Sequence, residues 1–222
     1  MKTLNELMDF IENIPENMCA KPQPLLLYHL SKNLKCAGAI VEIGTCAGKS
    51  TIALAFAQKE KNGCIINTID IQEHPNIVKN LTKAGINDYV KRIIGRSSII
   101  SIKWNELISL LWIDGDHRKN GIVRDIICWS KHVVIGGIMA FHDYPGFDGV
   151  NDTWKALYKY VLKYPEKWRV ISDREAGSII AFERIENHAK YKLINRYKFK
   201  IRWFIENIKW YHEQKYAQVL IL

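Results

Sequence analysis

Two short runs in this chain concentrate carboxylates and imidazoles: Asp114-Gly115-Asp116-His117 and His142-Asp143-Tyr144. Each stands where an apolar run stops, LLWI before the first and VVIGGIMAF before the second. Two such groups side by side would repel one another unless a cation or a substrate proton lay between them, so a divalent metal site is the economical reading.

A second constellation lies upstream. Glu42-Ile-Gly44-Thr-Cys-Ala-Gly48-Lys-Ser50 follows the apolar run AIV, and its glycines allow a tight turn and close backbone approach to a ligand. Asp70 ends the next apolar run 22 residues past Gly48, the spacing at which a carboxylate accepts hydrogen bonds from ribose hydroxyls. After a third run, Gly95-Arg-Ser97-Ser98 suits an adenine edge, and equally the N-cap of a helix. Phosphate loops do not fit. GxxxxGK[ST] would need glycine at Ile43, and GxGxxG would need it at Cys46. A ligand with a ribose and no phosphate is expected.

The elements that must hold these residues alternate. Apolar, β-branched runs at 39–43, 64–70, 90–94, 110–114 and 133–141 read as buried parallel strands. Helical segments are expected at 48–57, 75–84, 96–108 and 120–130 between them, and at 149–164 after the fifth. WRVIS at 168–172 and SIIAFE at 178–183 then read as a β-hairpin. Two helices, 3–14 with a capping box at Thr3 and Glu6, and 25–34, precede the first strand. The fold class is α/β: a Rossmann-like, doubly wound, mostly parallel seven-stranded sheet ending in an antiparallel hairpin. Three parts follow: an N-terminal helical cap (1–36), a catalytic body (37–183) and a basic C-terminal extension (184–222). In such a sheet ligands bind at the carboxyl ends of the strands, where all the residues above stand.

The 222 residues carry a formal charge of +9, but residues 184–222 hold nine Lys or Arg against three Glu, so +6 of it lies there. The body is close to neutral, and nucleic acid is not the expected partner. The extension spaces Ile194, Tyr197, Ile201, Phe204, Ile205, Ile208 and Tyr211 at helical intervals between basic residues. That amphipathic basic helix would pack on a second copy, giving a homo-oligomer, or touch an anionic membrane surface peripherally. No apolar run reaches the roughly 18 residues of a spanning helix. The first residues lack the apolar block of a signal peptide, and five scattered cysteines suit reduced thiols, so a cytoplasmic location is expected.

These residues resemble the class I S-adenosylmethionine-dependent methyltransferases over roughly residues 40–183. VEIGTCAGKST is close to the first motif of the catechol-type, metal-dependent O-methyltransferases; LLWIDGDH followed by GGIMAFHDY resembles the paired motifs of the macrocin type, which methylates sugar hydroxyls. The resemblance implies S-adenosylmethionine as cofactor, with Gly44 and Gly48 shaping the loop. Glu42 and Ser50 would stand at the methionine end, Asp70 at the ribose, and Gly95 and Ser97 at the adenine, with Asp114 beside them. It also implies Asp114, His142 and Asp143 as metal ligands. The general base would be Asp116, as in the macrocin type, or His117, which aligns with the catechol-type Lys. His142 replaces the second Asp of the macrocin type and Tyr144 the catechol-type Asn. An imidazole ligand makes Mn²⁺ as suitable as Mg²⁺. The implied reaction is methyl transfer to a hydroxyl of a sugar, glycan or small natural product. Two rivals stay open. His117, His142 and Asp143 could serve a metal-dependent oxygenase, which would leave Glu42 and Asp70 without a role; the same scaffold could also be a non-catalytic nucleotide-binding module.

Overall fold

The computed structural model describes residues 3–15, 22–144 and 153–185. Helix α1 (Leu4–Glu12) starts where the Thr3 hydroxyl accepts from the Glu6 amide at 3.2 Å, and it buries Leu7 and Ile11. Helix α2 (Gln23–Lys32) carries Pro24 in its first turn, where a missing N–H costs nothing. The alternation then runs β1 (Ala39–Ile43), α3 (Lys49–Lys59), β2 (Ile66–Asp70), α4 (Ile77–Ala84), β3 (Val90–Ile94), α5 (Ser97–Ile100), β4 (Ile108–Ile113), α6 (Lys119–Trp129) and β5 (Val133–Phe141). Helix α7 (Thr153–Leu157) continues into a π-turn at Tyr158–Leu162, and β6 (Trp168–Asp173) and β7 (Ile180–Arg184) close the chain's sheet.

The strand order is β3-β2-β1-β4-β5-β7-β6, parallel from β3 to β5, with β7 antiparallel to both its neighbours. The expected α/β class, seven strands and terminal hairpin are all present. Alternate residues of each central strand enter opposite cores. Ile40, Leu110 and Trp112 pack with α1, α2 and α3 on one face. Val41, Leu111 and Ile113 pack with Ile122, Ile126 and Trp129 of α6 and with α7 on the other. The sheet is thus covered on both sides, as parallel strands that are apolar along their whole length require.

Some boundaries differ from the sequence expectation. Strand β2 begins at Ile66 and not Cys64, because the Gln58 side chain takes the Cys64 amide at 3.2 Å. The helix expected up to residue 108 ends at a 3₁₀ turn, Ser101–Lys103, and β4 starts at Ile108, two residues early. Cys36, Cys46, Cys64 and Cys128 are free thiols. Among the described residues no helix is long and apolar enough to cross a membrane. The basic helix expected within 184–222 lies outside the described residues from position 186, as do residues 145–152, where the helix expected at 149–164 would begin.

Candidate active site

The sheet register brings the predicted residues to one edge. Ile43 pairs with Ile69 on one side and Ile113 on the other, and Ile113 pairs with Phe141. Gly44, Asp70, Asp114 and His142 are therefore the first residues past one common level, on four adjacent strands. Ladder bonds carry this level outward: Gly44 N–H donates to the Ile69 carbonyl at 2.8 Å, Asp114 N–H to Ile43 at 2.8 Å and His142 N–H to Ile113 at 3.1 Å. The site straddles β1 and β4, where the strand order reverses, the place open α/β sheets use for ligands.

A cavity of about 510 Å³ opens there, lined among others by Gly44, Ser50, Asp70, Ser97, Asp114 and His117. Gly44 has φ of +95°, and a Cβ on it would lie 2.1 Å from the Asp114 carbonyl oxygen, so only glycine lets β1 and β4 close on each other. Beyond it the loop folds around Asp70: Oδ2 accepts from the Thr45 and Cys46 amides at 2.9 and 3.1 Å. Among the described residues Asp70 Oδ1 accepts only a long 3.4 Å bond, from the Gln72 amide, which leaves an acceptor at the cavity wall.

Glu42 is fully buried and is not part of that wall. Its two oxygens each accept a hydroxyl at 2.5 Å, from Ser50 and from Thr51, fastening the first turn of α3 to β1. Burial pushes its carboxyl up to about 7 despite those hydroxyls. Ser50 does line the cavity, so Glu42 orients Ser50 from behind. Gly48 is likewise outside the wall; with φ of +88° it caps α3.

Also on the cavity wall, Ser97 follows Gly95, whose N–H donates to the Asp70 carbonyl at 2.7 Å. The Ser97 hydroxyl donates to Asp125 Oδ1 at 2.5 Å. Asp125, a residue with no evident role in the sequence, is 4% exposed and lines the cavity. It shares the buried face of α6 with Ile122, Ile126 and Trp129, and an acid at that helical spacing is the signal that could have found it. Lys49 was equally inconspicuous. It is 7% exposed, lines the cavity, and makes no hydrogen bond or ion pair among the described residues.

Next to the cavity, and sharing Asp114 and His117 with it, stands a chain of acids and imidazoles. His142 Nδ1 lies 3.0 Å from both Asp114 Oδ1 and Asp143 Oδ1; His117 Nδ1 lies 2.9 Å from Asp143 Oδ2. Asp143 bridges both rings from a left-handed turn, φ +52°, a conformation Asp tolerates better than most residues. Burial raises the Asp114 carboxyl, partly offset by His142. The hydrogen bond that His117 Nδ1–H donates to the Asp143 carboxylate raises His117. Burial opposes protonation of His142, but Asp114 and Asp143 outweigh it and raise that group as well. On its far side His142 Nε2 lies 3.2 Å from Gln23 Oε1, and Gln23 Nε2 donates to Ser178 at 2.9 Å. Helix α2 thereby braces the site.

Residues 41–144 match the family described as a methyltransferase domain. An uncharacterized protein of Acanthamoeba polyphaga mimivirus, R132, is 31% identical over 176 residues, covering 71% of this chain and 79% of its own. The chain belongs to this methyltransferase domain family. Solved structures of the same fold include TomG of Streptomyces achromogenes, an O-methyltransferase of tomaymycin synthesis in complex with S-adenosylmethionine. It is 17% identical with TM-score 0.61, covering 83% of this chain and 91% of TomG. The O-methyltransferase NovP is 14% identical with TM-score 0.62, covering 73% and 79%. An O-methyltransferase from Bacillus cereus bound to S-adenosylhomocysteine is 18% identical with TM-score 0.62, covering 81% and 90%.

Within this methyltransferase the two base candidates stand differently. The Asp116 carboxylate is gripped by the Arg118 guanidinium at 2.8 and 2.9 Å, which holds it below the usual range, so it is a weak proton acceptor. His117 faces the cavity and is oriented by Asp143. As to a metal, Asp114, His117 and His142 each bring one ligand atom within 4.8 Å of the others. This mixed nitrogen and oxygen set suits Mn²⁺ or a similar cation.

Proposed function

We propose that this methyltransferase transfers the methyl group of S-adenosylmethionine to a hydroxyl oxygen of a sugar, glycan or small natural product. The observation that carries this reading is a shared wall. The cavity with its ribose-type acid, Asp70, and the Asp/His chain that would receive an acceptor have Asp114 and His117 in common.

The cofactor would lie along the strand ends. Asp70 would hold its ribose hydroxyls, and the glycine loop with Ser50 its methionyl end. Lys49 supplies the counter-charge for the carboxylate there, since a buried ammonium without a partner is otherwise costly. Methyl transfer from a sulfonium is an in-line displacement from an already activated donor. The protein must therefore align the acceptor and take its proton. His117 does the second task, with Nδ1–H held by Asp143 and Nε2 left to accept.

Asp114, His142 and Asp143 would hold a divalent cation, Mg²⁺ or Mn²⁺, which when bound supplies Lewis-acid lowering of the acceptor hydroxyl's pKa. His142 stays fixed by Gln23 in either case.

The test is methyl transfer from radiolabelled S-adenosylmethionine to catechols and to simple glycosides, with EDTA and with added Mn²⁺. Labelled O-methyl product supports the reading. Transfer only to nitrogen or carbon acceptors overturns it. Undiminished rates in EDTA, or in Asp114→Asn and Asp143→Asn, remove the metal from it.

A further inference from the structure

We infer that the edge of the sheet opposite the cavity is a docking face for an anionic lipid bilayer, which holds the protein with its cavity turned away from the lipid.

Strands β1 to β5 are parallel and β6 runs with them, so the connections that enter these strands lie side by side at one edge. Exposed lysines stand in the connections to β1, β2, β4, β5 and β6: Lys35, Lys61, Lys103, Lys131 and Lys167. Of the acids in the same connections, Glu60 is taken by Lys32 at 2.8 Å and Glu166 is buried. Asp88 and Glu106 are left against the lysines, and the edge is positive.

Apolar side chains stand exposed among these charges. Ile65 and Leu107 immediately precede β2 and β4, and Leu107 is 63% exposed. Ile108 and Leu110 of β4 pair with Val133 and Ile138, so the intervening residues of β5 bulge out at this edge and leave Ile135 57% exposed. Tyr164 precedes β6, with the Lys167 ammonium over its ring at 5.2 Å. Lysines interleaved with exposed aliphatic and aromatic groups suit a headgroup layer, where the ammoniums meet lipid phosphates and the apolar groups enter the acyl boundary.

The chain continues from the same edge. Ile185 N–H donates to the Lys167 carbonyl at 2.8 Å. The sequence beyond it carries Lys190, Lys192, Arg196, Lys198, Lys200 and Arg202 with no acid between Glu186 and Glu206, and places Tyr191, Phe199 and Trp203 among them. The combination found on the described face is thus repeated in the segment that starts there.

Charge and apolar surface together select the partner. A second copy would bring the same positive charge against itself, and a nucleic acid would use the lysines but leave Leu107 and Ile135 in water. An anionic bilayer satisfies both features. Strand β1, with five residues, spans about 17 Å, so the cavity at its other end stands clear of the headgroups.

Co-sedimentation of the full chain with vesicles tests this, using phosphatidylcholine alone and phosphatidylcholine with about 30% phosphatidylglycerol. At about 0.05 M salt the anionic vesicles should be bound at least about tenfold more tightly, and about 0.5 M salt should remove most of that gain. Lys61→Glu, Lys103→Glu and Lys131→Glu together should weaken binding to the anionic vesicles at least about tenfold. Leu107→Ser with Ile135→Ser should weaken it about tenfold. Equal binding of the two vesicle types, or binding of neither, overturns the inference. Undiminished binding by the triple lysine variant overturns it too, since the described edge would then take no part. Absence of vesicle binding with a dimer that Leu107→Ser and Ile135→Ser dissolve would assign the face to a second copy instead. Duplex DNA that displaces the vesicles, with an affinity untouched by those two substitutions, would assign it to nucleic acid. The wild-type contrast between vesicles decides alone if a variant does not fold.

Discussion

His117 Nδ1 stands 2.9 Å from Asp143 Oδ2, while Asp116, one residue before His117, gives its carboxylate to Arg118 at 2.8 and 2.9 Å. A proton held at Nδ1 leaves Nε2 free to accept; a carboxylate in a bidentate grip has little basicity left. His117→Ala should lower kcat by about 10²–10⁴, the usual worth of a positioned general base, with S-adenosylhomocysteine affinity changed less than about threefold. Asp116→Asn should cost less than about tenfold in kcat. Steady-state kinetics of both variants check the assignment, and the reverse ranking would make Asp116 the base.

Gly44→Ala should be among the most damaging small substitutions in the chain. Its Cβ would strike the Asp114 backbone oxygen at 2.1 Å, at φ +95°. Backbone atoms of a central strand cannot move aside, so a loss of at least about 2 kcal/mol is expected. Gly48→Ala, at φ +88°, meets only the flexible tip of Ile77 and should cost about half as much. Urea unfolding of the two variants measures the difference.

Glu42 predicts a pH dependence of stability. Its folded pKa of about 7 lies above the usual carboxylate value, so the native state keeps a proton that the unfolded chain releases. Stability must then fall as pH rises from about 4.5 to about 7 and level off above it, by an amount on the order of 3 kcal/mol. Asp125 acts in the same direction, so the comparison with Glu42→Gln isolates the effect. Unfolding free energies at pH 5, 6, 7 and 8 should show a shallower slope in that variant.

Lys49→Met should weaken S-adenosylhomocysteine binding by about tenfold, since one charge-assisted hydrogen bond is lost. Its affinity for 5′-methylthioadenosine, which has no carboxylate, should be unchanged. Titration calorimetry with the pair of ligands reads this directly.

Most of this arrangement was legible in the sequence because parallel strands buried on both faces are apolar until the residue where they end. Val41 and Ile43 enter one core and Ile40 the other; Gly44, Asp114 and His142 then stand out against them. What could not be read was direction and partnership. Glu42 belongs to the same motif as Ser50, yet it lies on the α3 side of the sheet and acts through that serine's hydroxyl. Asp125 is 28 residues from Ser97, and nothing local announces their bond. Gln23 reaches His142 across 119 residues, from a helix whose own composition points to no function.

Asp114 gives its backbone carbonyl to the close contact with Gly44 and its side chain to His142. A ligand that displaced the glycine loop would therefore press on the residue whose carboxylate meets His142, which makes Asp114 the contact through which the two compartments could be coupled. By thermodynamic reciprocity the factor of such coupling is the same in both directions.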